Sequence, residues 1–327
     1  MEYRSVADLG RDVVQWADRL PRDIDIVAGI PRSGLLAANL LALHLHTPLA
    51  DLEGLLAGRL LGAGQRMRNR SPADVIASAR RILVVDDSLH YGGALAEARD
   101  KVRGHVLEER ISYGVVYAAR LDGEQRVDYH HSVVPVPRAF EWNVLHHTHL
   151  GQACMDIDGV LCRDPEGSEA DGAPYEAFID DVPPRLVPAR EVGWLVTSRL
   201  ERYRPQTERW LAAHGIRYKE LVMHPAGSHE ERRAASDHAE RKAEVYRRTS
   251  AWLFIESDVR QAQRIAEIAG RPVFCTDVRQ MVYPGVPVGR PARRLDQVRW
   301  RLPREVARNR ERASRFGRRL LDGLSRR

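Results

Sequence analysis

Cysteine and lysine are scarce in this chain of 327 residues, and each scarcity excludes something. Cys154, Cys162 and Cys275 are too few for a disulfide framework and point to a reduced cytoplasm. No apolar run approaches the roughly 20 residues that a membrane span needs. The opening MEYRSVADLGRD is charged throughout, unlike a secretory signal. Lysine occurs only at positions 101, 219 and 242, so a retained lysine is informative where arginine fills almost every other cationic position.

The net charge of +6 is unevenly distributed. Residues 286–327 carry fourteen arginines against four acids, a tail of +10 on a body of −4. The basic character therefore belongs to an appendix, which argues against a nucleic-acid partner for the whole protein. Within the tail, Val306, Ala313, Phe316, Leu320 and Leu324 fall near one helical face and suggest a docking helix.

The length predicts about two domains. Val6, Leu9, Val13, Ala17 and Leu20 recur at helical spacing, followed by a short strand over 23–28, a glycine loop and a helix through LLAANLLALHL. Strands over 82–86 and 111–119 flank a helix at 93–103, an alternation that implies parallel strands with helical crossovers. The pattern restarts at 152–157, with later strands at EVGWLVT, ELVMH, AWLFI and PVFC. The expected architecture is α/β in two domains, each a mainly parallel sheet flanked by helices. They are placed at 1–147, with an aromatic connector or hood at 133–147, and at 148–285, ahead of the tail.

The first domain holds two glycine loops at strand ends, where ligands of parallel sheets bind. In Ile30-Pro31-Arg32-Ser33-Gly34, glycine permits close approach of amides to an anion and Arg32 adds a fork of donors, which suits pyrophosphate. In ILVVDDSLHYGGAL, Asp86 and Asp87 leave a strand with carboxylates suited to ribose hydroxyls, and Gly92 and Gly93 open a helix whose amides favour phosphate. Together the loops resemble those of the type I phosphoribosyltransferases. The resemblance implies a ribose-phosphate site for PRPP (5-phosphoribosyl 1-pyrophosphate) at Asp86, Asp87, Ser88, His90, Tyr91, Gly92, Gly93 and Ala94, pyrophosphate at residues 30–34, and Mg²⁺. It also implies base recognition by Phe140 and Trp142, and a lid carrying Arg59, Arg66, Arg68 and Arg70. The sequence departs from the family at His90-Tyr91 and Ala94, where hydroxyl side chains are usual. Backbone contacts to phosphate survive that change; side-chain contacts do not.

The second domain opens with ACMDIDGVL, in which Asp156 and Asp158 share a strand face and Gly159 turns both toward one point. Asp156 is suited to attack phosphorus and Asp158 to protonate the leaving group and activate water. Thr197, Lys242, Glu256 and Asp258 follow in an order that resembles the four motifs of the haloacid dehalogenase superfamily. The resemblance implies Thr197 and Lys242 as phosphate clamps, Asp156, Asp158, Glu256 and Asp258 around Mg²⁺, and a phosphate monoester as substrate. Thr197 follows Asp158 by 39 positions, which leaves little room for a large cap.

Three functions fit these features. In the first, PRPP and a nucleobase-like acceptor give a ribosyl 5′-phosphate that the second domain dephosphorylates to a nucleoside. In the second, a stand-alone phosphatase is joined to a degenerate nucleotide- or PRPP-sensing domain. The third is a nucleic-acid end-processing phosphatase, drawn from the scant cap and the basic tail. The oligomeric state stays open, a homo-oligomer included. His146, His147 and His149 lack a second ligand pair at metal-site spacing and read as polar linker, and Cys162 reads as packing.

Overall fold

The computed structural model describes residues 1–62, 70–120, 127–169, 172–235 and 237–287. Arg66, Arg68 and the helical face expected in the tail lie outside these residues. The chain divides into two compact units, Met1–Val144 and the part from Leu145 onward. Both are mixed α/β, with largely parallel sheets flanked by helices. No described helix is long and apolar enough to cross a membrane.

The first unit begins with β1 (Glu2–Arg4) and α1 (Val6–Ala17), then β2 (Ile26–Gly29), α2 (Ser33–Leu45), β3 (Leu49–Asp51), α3 (Leu52–Leu56) and α4 (Pro72–Ser78). β4 (Ile82–Leu89), α5 (Gly93–Val102), β5 (Ile111–Ala118), β6 (Tyr129–Val133) and β7 (Arg138–Phe140) complete it. Helix α1 starts where Ser5 and Asp8 exchange side-chain and backbone hydrogen bonds, a capping box, and it buries Leu9, Val13, Trp16 and Ala17. The sheet order is β3-β2-β4-β5-β6, with every neighbouring pair parallel. Along β4, Ile82 and Val84 enter one core while Leu83 and Val85 enter another. That two-residue alternation, apolar on both faces, is what a sheet covered by helices on both sides requires.

The second unit runs through β8 (Ala153–Met155), α6 (Gly172–Asp181), β9 (Val192–Leu200), α7 (Arg204–Ala213), β10 (Tyr218–His224), α8 (His229–Ala235) and α9 (His238–Arg248). It ends with β11 (Leu253–Glu256), α10 (Val259–Ala269), β12 (Val273–Cys275) and β13 (Gln280–Val282). Its order is β10-β9-β8-β11-β12-β13, parallel apart from the last pair. Strand β8 is central, and its carboxyl end is flanked by those of β9 and β11. The residues that follow these three strands therefore meet in space although they are far apart in sequence.

Two expectations shift. Strand β4 does not stop at Asp86 but continues to Leu89, because Ser88 and Leu89 still pair with Tyr117 and Ala118 of β5. The residues at 133–147 contain β7, which pairs in parallel with β1, so the connector contributes a small sheet of its own.

Candidate active sites

In the first unit, the two glycine loops follow the adjacent strands β2 and β4. Ile30 N–H donates to the Val85 carbonyl at 2.9 Å, tying the loops together. Gly34 makes the approach sterically feasible: a Cβ there would lie 2.7 Å from the Val85 oxygen and 2.8 Å from Asp86 Oδ1. Ser33 and Gly34 open α2, while Pro31 and Arg32 are exposed in the loop before it. The helix start has no side-chain cap, so its amides suit an anion.

The acidic pair is already engaged. Asp87 is 3% exposed; its Oδ1 accepts from Ser33 Oγ at 2.8 Å and its Oδ2 from Trp142 Nε1 at 2.7 Å. Burial, and then the neighbouring Asp87, hold the Asp86 carboxyl well above the usual carboxylate range. Trp142 stacks on Phe140, with ring centroids 5.0 Å apart, and Phe140 is buried in the core. Phe140 is thus a packing residue, and Trp142 is an acid-binding indole rather than an open stacking platform.

Because β4 runs on, only His90, Tyr91 and Gly92 separate it from α5. Ser88 lies within the strand, His90 and Tyr91 stack at 3.8 Å, and Tyr91 is 76% exposed. Gly92 has a φ of 78°, which glycine adopts without strain, and Gly93 and Ala94 form the first turn of α5. Sequence reading passed over Arg138. It is fully buried, donates to the Leu89 carbonyl at 2.8 Å and the Val134 carbonyl at 3.0 Å, and so fixes the end of β4. Arg59 is exposed, and Arg70 bonds Ser78 Oγ at 2.5 Å and the Asp74 carbonyl at 3.2 Å beside α4.

The second unit gathers its charges more tightly. Lys242, on the buried face of α9, donates to Asp156 Oδ2 at 2.5 Å, to Glu256 Oε2 at 2.8 Å and to Gln261 Oε1 at 3.0 Å. All three charged groups are nearly inaccessible. Burial pushes the Asp156 carboxyl up to about 8; Lys242 opposes the rise, and Glu256 and Asp158 add to it. Burial by itself would lower the Lys242 ammonium, but Asp156 and Glu256 outweigh it and hold that group above its ordinary value.

Asp158 is held by a residue that sequence reading missed. Arg199 has no exposure and donates Nη2 to Asp158 Oδ1 at 2.7 Å and Nε to both carboxylate oxygens at 3.1 and 3.2 Å. Nothing marked Arg199 in a chain so rich in arginine, except that it follows Thr197-Ser198 directly. Thr197 Oγ1 accepts the Arg199 amide at 3.2 Å, leaving its own hydrogen to donate. Gly159 has a φ of 77°, and a Cβ there would stand 2.1 Å from Ser257 Oγ and 2.9 Å from Asp164 Oδ2, so the turn after Asp158 requires glycine. Asp164, also missed, sits beside this turn. Burial, and then Asp158 and Glu256, raise its carboxyl.

Glu256 and Asp258 do not converge as the expected acidic pair. Glu256 faces Lys242, whereas Asp258 caps α10 by accepting from Gln261 N–H at 2.7 Å. Among the described residues no group of three or more His, Cys, Asp or Glu is arranged to hold a metal ion. The chemistry of the donors nonetheless fits Mg²⁺. They are hard carboxylate oxygens, and an Asp156 carboxyl raised to about 8 needs additional positive charge to be an anion near neutrality. Cys162 is fully buried with its thiol pushed up by burial, and His147 and His149 stack on each other at 4.5 Å.

No family model matches the chain. The adenine phosphoribosyltransferase of Drosophila pseudoobscura pseudoobscura is 28% identical over 127 residues, covering 36% of this chain and 68% of that protein. The N-terminal region resembles the type I phosphoribosyltransferases. Among solved structures, the xanthine-guanine-hypoxanthine phosphoribosyltransferase of Helicobacter pylori is 14% identical, with a TM-score of 0.32 over 44% of this chain and 92% of its own. A chain of the Pnkp1/Rnl/Hen1 complex is likewise 14% identical, with a TM-score of 0.25 over 87% of this chain and 96% of its own.

Proposed function

We propose that the second unit is a Mg²⁺-dependent phosphomonoester hydrolase working through an aspartyl-phosphate on Asp156. The observation that carries this reading is Lys242, a buried lysine in a chain almost without lysine, bridging Asp156 and Glu256 at 2.5 and 2.8 Å. Asp156 attacks phosphorus, forming the acyl-phosphate bond as the ester oxygen departs. Asp158 supplies the leaving group with a proton and then takes one from the water that cleaves the intermediate. The Thr197 hydroxyl holds a phosphoryl oxygen, Lys242 reaches the phosphate by turning one of the three hydrogens it gives to Asp156, Glu256 and Gln261, and Arg199 fixes the orientation of Asp158. Mg²⁺, bound at the Asp156 carboxylate, would neutralise charge between the anionic nucleophile and the phosphate.

For the first unit, similarity to an adenine phosphoribosyltransferase supports a phosphoribosyl-binding fold. Transfer from PRPP to a base-like acceptor, followed by dephosphorylation in the second unit, is the bifunctional form of the proposal. The closure of Asp87 by Trp142 and Ser33 supports instead a PRPP- or nucleotide-binding unit that does not turn over. Hydrolysis of p-nitrophenyl phosphate with Mg²⁺, compared between wild type and Asp156→Asn, tests the hydrolase. Turnover retained by the variant would remove Asp156 as nucleophile. Calorimetric titration of PRPP into the full chain, with Asp86→Asn/Asp87→Asn as control, tests the first unit.

A further inference from the structure

Beside the phosphohydrolase centre lies a cationic group that the proposed chemistry leaves unused. Ser198 follows Thr197 on β9, and two elements converge on it. From α8, Arg232 donates Nη1 to the Ser198 carbonyl at 2.9 Å, while its Nε is buried without a partner. From α9, His238 Nδ1 stands 3.1 Å from Ser198 Oγ, one helical turn before Lys242 and on the same face. His224, at the end of β10, lies with its ring 6.2 Å from that of His238, turned to Asp237 at 3.4 Å and to the Ala226 amide at 3.1 Å.

A guanidinium with an unspent, desolvated N–H is costly unless a ligand accepts from it. Burial, and then Arg232, Lys242 and His224, lower the His238 imidazole against the opposing pull of Asp237, so the ring is held neutral and the Arg232 guanidinium is the fixed positive charge that an anion would meet. When the neutral ring accepts from the Ser198 hydroxyl, it carries its hydrogen on Nε2 and gains a second donor for the same ligand. The phosphoryl group to be hydrolysed takes Thr197 and Lys242; Arg232 of α8 and His238, one turn before Lys242 on α9, carry the second set of donors, both anchored on Ser198.

We propose that Arg232 and His238, both oriented by Ser198, form a subsite for a second phosphate group of the substrate, so that the preferred phosphomonoester is one bearing another phosphate close to the scissile one. This rests on the hydrolase reading of Asp156 and Lys242. Two sources share the chemistry: a free nucleoside bisphosphate, and an oligonucleotide with a terminal phosphate next to its last phosphodiester.

The test is calorimetric binding to full-length Asp156→Asn protein of adenosine 3′,5′-bisphosphate, adenosine 3′-monophosphate, adenosine 5′-monophosphate and a short oligonucleotide with a terminal phosphate. The bisphosphate or the oligonucleotide is expected to bind at least about tenfold more tightly than the monophosphates, the ratio of the two identifying the source. Adding Arg232→Gln should bring the preference over the monophosphates near one, and Arg232→Lys, which keeps the charge but lacks the Nε–H, should retain only part of it. A general loss of folding lowers every affinity together and leaves that preference in place. Equal binding of mono- and bisphosphates, or a preference that survives Arg232→Gln, overturns the subsite. Wild-type turnover of p-nitrophenyl phosphate is measured alongside. If that is absent while the tenfold preference stands, the hydrolase reading has failed and the subsite has not.

Discussion

At the residue scale, the decisive feature is the charge balance around Asp156. Its carboxyl rises from near 3.8 to about 8 in the metal-free fold, so the folded state binds a proton that the unfolded state has released. Stability from this group is fully present below about pH 4 and is lost as pH climbs through about 8. Metal-free wild type should therefore lose urea resistance between pH 5 and 9, and Asp156→Asn, which has no such proton, should lose less. Equal slopes in the two proteins would contradict the assignment. Mg²⁺ should move the acid limb of turnover to lower pH by favouring the carboxylate. Lys242→Met should cost about 3–5 kcal/mol at pH 9, where it removes the counter-charge from two buried carboxylates, and less at pH 5, where Asp156 is protonated. Urea midpoints at the two pH values measure this. Lysine was readable as special from its rarity. Arg199, with an equally direct grip on its carboxylate, was not, because the sequence offers arginine at so many positions.

At the scale of elements, the sites are built where glycine lets backbones approach. Gly159→Ala should destabilise by about 1–3 kcal/mol, since a φ of 77° is unfavourable to alanine and its Cβ would overlap Ser257 Oγ. It should also abolish turnover by moving Asp158, with a urea midpoint and a p-nitrophenyl phosphate assay as the two readouts. The loop after β4 gives the second prediction. The Trp142 indole occupies the Asp87 oxygen that the transferase reading assigns to a ribose hydroxyl, and a hydrogen bond is worth about 0.5–1.5 kcal/mol or more. Trp142→Phe should tighten PRPP binding about tenfold or more by calorimetry; unchanged or weaker binding would mean that the indole is part of the site. The strand-and-helix alternation was legible because apolar periodicity survives in one sequence. The extension of β4 to Leu89 was not, because Asp86, Asp87 and Ser88 look like a loop. Their strand state comes from pairing with β5 and from Arg138 bonding the Leu89 carbonyl.

At the scale of the whole molecule, two α/β units with separate sheets carry two candidate sites on one chain. If the units act in sequence, the full chain supplied with PRPP, a base and Mg²⁺ should release a nucleoside and inorganic phosphate, and Asp156→Asn should accumulate the 5′-monophosphate instead. Chromatography of the products distinguishes this from a hydrolase whose partner unit only binds. Deleting residues 286–327 should leave hydrolysis of small esters intact. Loss of oligonucleotide turnover alone would assign the basic tail to nucleic-acid contact.

The sequence by itself determined the α/β class, the main strand-and-helix alternation of both halves, and the positions of Asp86, Asp87, Asp156, Asp158 and Thr197 toward the carboxyl ends of strands, with Lys242 on a helix. Those follow from periodicities and spacings that are local to the chain. Only the tertiary structure decided which of these groups meet, that Asp87 is closed by Trp142 and Ser33, that Asp158 belongs to Arg199, and that Asp258 caps a helix while Glu256 faces Lys242. The physical reason is that strand order places β8 between β9 and β11, and β2 beside β4. Hydrogen-bond partners within a few ångströms are thus drawn from residues dozens of positions apart, which spacing along the chain does not encode.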